Sequence, residues 1–326
     1  MKKIRWGIVG PGGIANKFAN ATKKLDCAEL VAVASRSEES GKAFAEKYDI
    51  PCVFCGYENM AKSDVVDAVY VATPHPFHKP CAELFLKNKK HVLCEKPLCV
   101  NSKDAKELKE LAKENNVFLM EAMWTRFLPA IKEAEKIVKN GEIGEIRGLR
   151  ADFCYSLTPE KEPKIYRNDM AGGSLLDVGV YGLHFASLFL GNNPELINAV
   201  ADVQNGVDVH THVILKYKGG VLADISSAIG VKKPENAYVY GSNGYIKIPT
   251  FYGAQEIFLT VNGKTTQISK PSMGDGFEEE ICEACSCINS GKLESNTMPL
   301  DESIIMLDIM DKIRSQINVK YPFDEN

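Results

Sequence analysis

The sequence lacks most features that would send a chain to a membrane, a polyanion or an oxidising compartment. No run approaches the roughly 18–20 apolar residues that a bilayer-spanning helix needs, so no membrane partner is expected. The opening residues, MKKIRWGIVG, have no apolar core or small-residue cleavage site of a secretory signal, which points to a cytoplasmic location. Basic residues are not in excess. Lys and Arg total 39 against 43 Asp and Glu, for a net charge of −4, and nucleic acid is excluded as a main partner. Repeats, low-complexity tracts and long charge runs are missing, which excludes solenoids and disordered tails. Histidine is scarce, with six in all, and neither His75-x-x-His78 nor His210-x-His212 has an adjacent carboxylate or third ligand. Cysteine is not scarce, but the ten are scattered, several inside apolar runs such as Cys81, Cys94, Cys99 and Cys154. They read as reduced, buried small hydrophobes. Cys52-x-x-Cys55 and Cys282-x-x-Cys285-x-Cys287 are closely spaced but far apart in the chain, unlike zinc knuckles separated by about 15–20 residues. No metal is expected.

What is present is an ordinary globular composition, 45% hydrophobic and 25% charged, in a chain of 326 residues that suits two domains. Residues 1–123 alternate apolar runs with helical patterns: Ile4 to Val9, Glu29 to Ala34, Val65 to Thr73, His91 to Cys94 and Val117 to Met123, with helices between. Ser102 is the expected N-cap of a helix reaching Asn115. Strands alternating with helices predict a parallel sheet covered on both faces. Beyond Trp124 the texture changes. After two helical segments, Leu196 to Ile268 reads as strand after strand with turn signals at Lys218-Gly219-Gly220, Ser242-Asn243-Gly244 and Asn262-Gly263. The expected fold is α/β: a Rossmann-type dinucleotide-binding domain at 1–123, then an α+β domain at 124–326 with a large open, mostly antiparallel sheet. The final helix, about 300–317, is a candidate to pack back on the first domain.

The segment 7-GIVGPGGIA-15 follows the first strand and opens a helix, and Gly10-x-Gly12-x-x-Ala15 fits G-x-G-x-x-G/A. Gly10 permits a tight turn, Gly12 lets a pyrophosphate approach the backbone, and Ala15 allows close helix–strand packing. With Gly13 and Ile14, these residues place an anion on a helix N-terminus. The second strand ends Ser35-Arg36, with no acid for a ribose 2′-hydroxyl. A hydroxyl and an arginine suit a 2′-phosphate, so NADP(H) is expected in preference, with NAD(H) as the alternative. Thr73, Pro74 and His78 lie at the carboxyl end of a central strand and are candidates to flank the cofactor, although a Pro-shaped turn with a helix-start histidine gives the same letters.

The run from His91 to Cys94 leads into Glu95-Lys96-Pro97 on that same edge. Lys96 there can orient a substrate hydroxyl and lower the pKa of a neighbouring acid, or it can simply snorkel out of a strand end. In 173-GSLLDVGVYGLHF-185, Asp177, Tyr181 and His184 fall at i, i+4 and i+7, one polar stripe on an otherwise buried helix. Trp124 and Arg126 follow the last Rossmann strand and are candidate substrate contacts: an indole can lie flat on a sugar ring, and a guanidinium can bind hydroxyls or a carboxylate.

Gly10-x-Gly12-x-x-Ala15, Glu95-Lys96-Pro97 and Gly172-Gly173-x3-Asp177-x-Gly179-x-Tyr181 occur in order, and over essentially its full length the chain resembles the Gfo/Idh/MocA oxidoreductases. Segments 121-EAMWTRFLPA-130 and 298-MPLDESIIMLDIMDKIR-314 are most similar to its branch of dimeric dihydrodiol dehydrogenases and related NADP-dependent sugar dehydrogenases. The resemblance implies that Lys96 and Asp177 belong to the active site and that the second-domain sheet forms a homodimer or higher homo-oligomer. Glu95 is left without a fixed role: it can touch the cofactor or simply partner a basic neighbour. Much of the family has histidine where this chain has Tyr181 and an acid where it has His184. The proton acceptor is therefore open between Tyr181, Lys96 and a relay with Asp177. The expected reaction is hydride transfer between the nicotinamide and a carbinol of a cyclic polyol: an aldopyranose such as glucose or xylose, or a trans-dihydrodiol. The alternatives are a non-catalytic NADP-binding regulator and a C=N or C=C reductase.

Overall fold

In the computed structural model, which describes residues 2–324, the chain divides into two compact units. One comprises the residues up to Trp124 together with Met273–Ile304; the other comprises Thr125–Ser272 and the residues after Ile304. The sequence pattern places everything beyond residue 123 in the second domain, and segment 273–304 departs from it. The physical reason lies in one helix, Phe277–Asn289. Its buried Phe277, Ile281, Ala284 and Cys285 repeat at three-to-four spacing, and the helix packs against the first helix of the chain, Gly13–Thr22.

The first unit is a six-stranded parallel sheet built from β1 (Ile4–Val9), β2 (Ala28–Ser35), β3 (Cys52–Cys55), β4 (Ala68–Val71), β5 (His91–Glu95) and β6 (Leu119–Ala122), in the order β3-β2-β1-β4-β5-β6. The strand order reverses between β1 and β4, which opens a crevice at their carboxyl ends. The helices are α1 (Gly13–Thr22), α2 (Glu38–Tyr48), α3 (Glu58–Lys62), α4 (His78–Lys87) and α5 (Ser102–Asn115). The cap of α5 is Asn101, whose side chain accepts from the Asp104 N–H at 2.9 Å, so Ser102 is the first helical residue rather than the cap. Strand β3, at the sheet edge, is an element the sequence pattern did not predict. Its two cysteines and half-buried residues carry little hydrophobic signal. In the core, Phe18 stacks on Tyr70 at 4.0 Å and Trp6 meets Phe18 edge-on at 5.5 Å. Such pairs contribute about 0.5–1.5 kcal/mol beyond area burial.

The second unit contains α6 (Pro129–Lys139), β7 (Ile146–Cys154), α7 (Val180–Leu190), β8 (Leu196–Gln204), β9 (Val207–Lys216), β10 (Leu222–Ala228), β11 (Ala237–Gly241), β12 (Gly244–Ile248), β13 (Glu256–Val261) and β14 (Lys264–Ser269). The strands form one sheet, β14-β13-β12-β11-β7-β10-β9-β8, antiparallel except where β10 runs beside β7. Two helices close the chain, α8 (Phe277–Asn289) in the first unit and α9 (Leu300–Gln316). Helix α7 lies on one sheet face, where a Cβ on Gly182 would come within 2.5 Å of Ile225 Cγ2. On the other face, cross-strand rows such as Leu196–Lys216–Leu222 and Val200–His212–Ser226 stand in register, with Val200 71% exposed. By length and composition the 23 residues of Asn168–Leu190 could cross a bilayer, contrary to the sequence expectation. Yet 78% of their most apolar window is buried in the fold.

Candidate active site

The glycine loop runs from β1 into α1. Gly10 has φ +88°, and a Cβ there would lie 3.1 Å from Thr73 Cγ2, so only glycine fits the turn against the end of β4. Gly12 precedes α1 with extended backbone and no side-chain cap, and a Cβ on Gly13 would meet nothing within 4 Å. Open space thus stands over helix N–H groups that no side chain caps, while Ala15 is fully buried and Ile14 half-buried. An anionic group fits such a cradle. At the tip of β2, Ser35 is buried and its hydroxyl accepts from the Ser37 N–H, while Arg36 is exposed with its guanidinium 5.8 Å from the Phe77 ring centroid.

The Lys96 turn is held by three buried side chains. Glu95 Oε1 accepts from the Tyr70 hydroxyl and Oε2 from the Lys96 N–H at 3.2 Å. Glu121 Oε1, from β6, accepts from the Leu98 N–H at 3.1 Å. His78 Nδ1 lies 2.8 Å from the Pro97 carbonyl oxygen and Nε2 2.7 Å from that of Thr73. His78 therefore ties the end of β4 to the end of β5, and it is 1% exposed. Burial, reinforced by the charge of His75, brings it down to about 4 despite the two carbonyls, so near neutral pH it donates to only one of them. Burial raises the Glu95 carboxyl and the Lys96 charge partly offsets this. The Lys96–Pro97 peptide is cis. On α8, Glu280 is fully buried, and neither of its carboxyl oxygens has a hydrogen-bond partner among the described residues. Burial, then the nearby Glu95, pushes it well above the usual range.

In the second unit the Gly172-Gly173 segment leads into helix, but not a regular one. Leu175–Gly179 form a π turn that contains Asp177, and α7 follows it. The wider turn departs from the uniform 3.6-residue spacing expected for Asp177, Tyr181 and His184. Asp177 Oδ2 accepts from the Tyr155 hydroxyl. Burial, together with the Asp177 charge, raises the Tyr155 phenol far above its ordinary range, so Tyr155 stays a donor. Tyr181 packs on Phe153 at 5.3 Å and near Tyr252 at 6.0 Å, with Phe153 and Tyr252 stacked at 3.9 Å. His184 is buried further along the helix.

Within the first unit the structure gathers the glycine loop, Thr73, Pro74, His78, Glu95 and Lys96 at the carboxyl ends of β1, β4 and β5. Trp124 in that unit is buried and stacks on Phe277 at 5.3 Å, with Lys17 Nζ 5.8 Å from each ring. In the second unit Asp177, Tyr181 and His184 share one helical segment, and Arg126 is buried. Sequence reasoning missed Glu121 and Tyr155. The acid ending an apolar strand at Glu121 was the available signal for the first. Tyr155 offered none.

The profile of the Gfo/Idh/MocA oxidoreductases with an NAD-binding Rossmann fold matches residues 4–123, and that of the family's C-terminal domain matches residues 131–247. The chain is 37% identical over 334 residues to a trans-1,2-dihydrobenzene-1,2-diol dehydrogenase of Mus musculus, covering 99% of each. It is also similar to a 3-ketoreductase from Actinomadura kijaniata solved with NADP and TDP-benzene (TM-score 0.89, 28% identity, covering 97% of this chain and 98% of that one). An aldose–aldose oxidoreductase from Caulobacter crescentus, solved with glycerol, superposes with a TM-score of 0.89 at 25% identity and the same coverage.

Proposed function

The chain belongs to the Gfo/Idh/MocA oxidoreductase family, and from that premise we propose that it is an NADP(H)-dependent dehydrogenase acting on a ring carbinol. The similar proteins are named for a cyclic diol, a 3-keto group and an aldose. A cyclic polyol suits all three, either an aldopyranose such as glucose or xylose or a trans-dihydrodiol. The observation that carries the proposal is the Lys96 turn, a cationic side chain at the carboxyl end of a parallel sheet whose flanking backbone is gripped by Glu95, Glu121 and His78.

Gly10, Gly12, Gly13, Ile14 and Ala15 hold the pyrophosphate on α1, and Ser35 and Arg36 take the 2′-phosphate; NAD(H) lacks that group and binds less well. Thr73 and Pro74 border the cofactor, while His78 and Glu95 fix the loops around it. When bound, the nicotinamide supplies the two-electron redox chemistry. Lys96 donates a hydrogen bond to the substrate oxygen and stabilises the negative charge that develops there. Tyr181 takes the hydroxyl proton in oxidation and returns it in reduction. A phenol with an ordinary pKa near 10 needs a cation to do so near neutral pH, and Lys96 carries that charge. Asp177, fixed by Tyr155, orients the tyrosine. Trp124, Arg126 and His184 shape the substrate side.

Turnover of NADP(H) with ring polyols tests this. Lys96→Met and Tyr181→Phe should each lower kcat about 10²–10⁴-fold with NADP(H) affinity kept. Near wild-type turnover in both removes them from the chemistry. We further propose that a second copy of this chain covers the open sheet face, where Leu196, Val200, Ile214 and Leu222 are exposed on adjacent strands.

A further inference from the structure

The segment that carries Asp177 and Tyr181 begins at a carboxylate it does not own. Asp208, on β9, is fully buried, and its Oδ2 accepts from the Leu175 N–H (2.8 Å), the Ser174 hydroxyl (2.7 Å) and the Thr211 hydroxyl (2.7 Å). The first N–H groups of a helix have no partner within it. Here Gly173, with no side chain, precedes the helix, and a strand supplies the cap. Gly173 has φ +114°, and a Cβ on it would sit 2.2 Å from Asp208 Oδ1, so the glycine lets the chain close onto the carboxylate. Gly172 is pressed as closely on the other side, where a Cβ would fall 2.4 Å from the Ile165 carbonyl oxygen. Its own carbonyl accepts from the Tyr321 hydroxyl at 2.8 Å.

A second anchor lies at the last residue of the π turn, Gly179. A Cβ on Gly179 would come within 3.0 Å of Ser227 Oγ, and that hydroxyl lies 3.0 Å from Ser174 Oγ. The five residues from the first anchor to the second, Leu175–Gly179, are the ones that adopt the π turn. Slipping a helix start by one residue rotates the remainder of the helix by about 100°. Asp177 would then leave Tyr155, and Tyr181 would leave Phe153 and Tyr252. A buried carboxylate is a costly way to fill space, and fixing registry is the best-attested use of such a group. Burial does raise the Asp208 carboxyl, against the pull of Thr211, Ser174 and the Leu175 N–H.

We propose that Asp208 is a positioning residue that sets the rotational phase at which Asp177 and Tyr181 are presented. This rests on the assignment of those two residues to the chemistry. Asp208→Asn keeps the shape but leaves one carbonyl oxygen where a carboxylate took three donors. It should lower kcat about 10–100-fold, the size expected for a displacement near 1 Å. KM, NADP(H) affinity and melting temperature should stay close to wild type, and the isotope effect on kcat with a carbinol-deuterated substrate should rise. Thr211→Val should lower kcat several-fold, and Thr211→Ser, which restores the hydroxyl, should recover it. Full kcat in both Asp208→Asn and Thr211→Val overturns the proposal. So does a loss of kcat that only tracks loss of folded, NADP(H)-binding protein, since that marks a merely structural role. The two readings fail separately. An active Tyr181→Phe removes the tyrosine from the chemistry, whereas an active Asp208→Asn beside an inactive Tyr181→Phe overturns the positioning role alone.

Discussion

Glu95 was the one letter of Glu95-Lys96-Pro97 without a role in the sequence pattern, and its surroundings supply one. It bonds the Tyr70 hydroxyl and the Lys96 N–H, and Tyr70 is stacked on Phe18, so the lysine turn is fastened through an acid to the sheet core. Glu280 is the residue whose energetics run the other way. Its carboxyl is buried without partners, and its folded-state pKa lies above the ordinary value near 4.3. Above that pH the unfolded chain has released the proton while the folded chain still holds it, so stability falls as pH rises. Glu280→Gln does not titrate. Its melting temperature should therefore gain on wild type as pH rises above about 4.3, in thermal melts at a series of pH values; a gap that stays constant with pH contradicts this. Lys96, Asp177 and Tyr181 were legible because a polar side chain inside an apolar run is conspicuous. Glu121 gave the same signal, an acid in an apolar run, and was passed over. Tyr155, Asp208 and Glu280 gave none. Each sits in a pattern that locally reads as ordinary strand alternation or as the acidic first turn of a helix, and only the fold buries it.

Whole elements were easier to read than their joints. The final helix, expected at about 300–317, runs Leu300–Gln316, and the strands of the first sheet other than β3 follow the apolar runs, though β4 covers only Ala68–Val71 of the longer run. The π turn left no trace in composition, because π and α turns use the same residues and the choice is made by anchors on β9 and β10. Glycine behaves differently in the two places where it matters. Gly13 faces open space, so Gly13→Ala should fold and melt like wild type while weakening NADP(H) binding about tenfold or more, because the methyl group fills space over the helix N–H groups where the anion sits. Gly173 has positive φ and meets Asp208, so Gly173→Ala should lose about 1–3 kcal/mol of stability from backbone strain alone. Paired denaturation and cofactor titrations check both. A destabilised Gly13→Ala, or a Gly173→Ala of wild-type stability, contradicts the local geometry.

At the scale of the molecule, the alternation of strands and helices before Trp124 and the run of turn-punctuated strands after it were enough to foresee one parallel and one mostly antiparallel sheet. They could not show that the chain comes back to its first sheet after leaving it, because that depends on which surface a late helix covers. The open face of the second sheet offers the remaining prediction. Val200, Leu222 and Leu196 are 71%, 49% and 46% exposed. If a second copy covers them, Val200→Asp with Leu222→Asp should convert a dimer to a monomer in light scattering. A wild-type monomer at micromolar concentration contradicts the dimer.

The nucleotide-binding half is not a contiguous cassette. Cut at Trp124, it forfeits the Leu293 carbonyl that accepts from the Leu119 N–H at 3.0 Å, the Glu278 carboxylate that pairs with Lys24, and the Phe277 ring stacked on Trp124 itself. A recombination event or a laboratory chimera that exchanges cofactor preference by swapping the first 124 residues strips α1 of its cover. Transplants between relatives at this boundary should succeed only when the late helix travels with them or already matches.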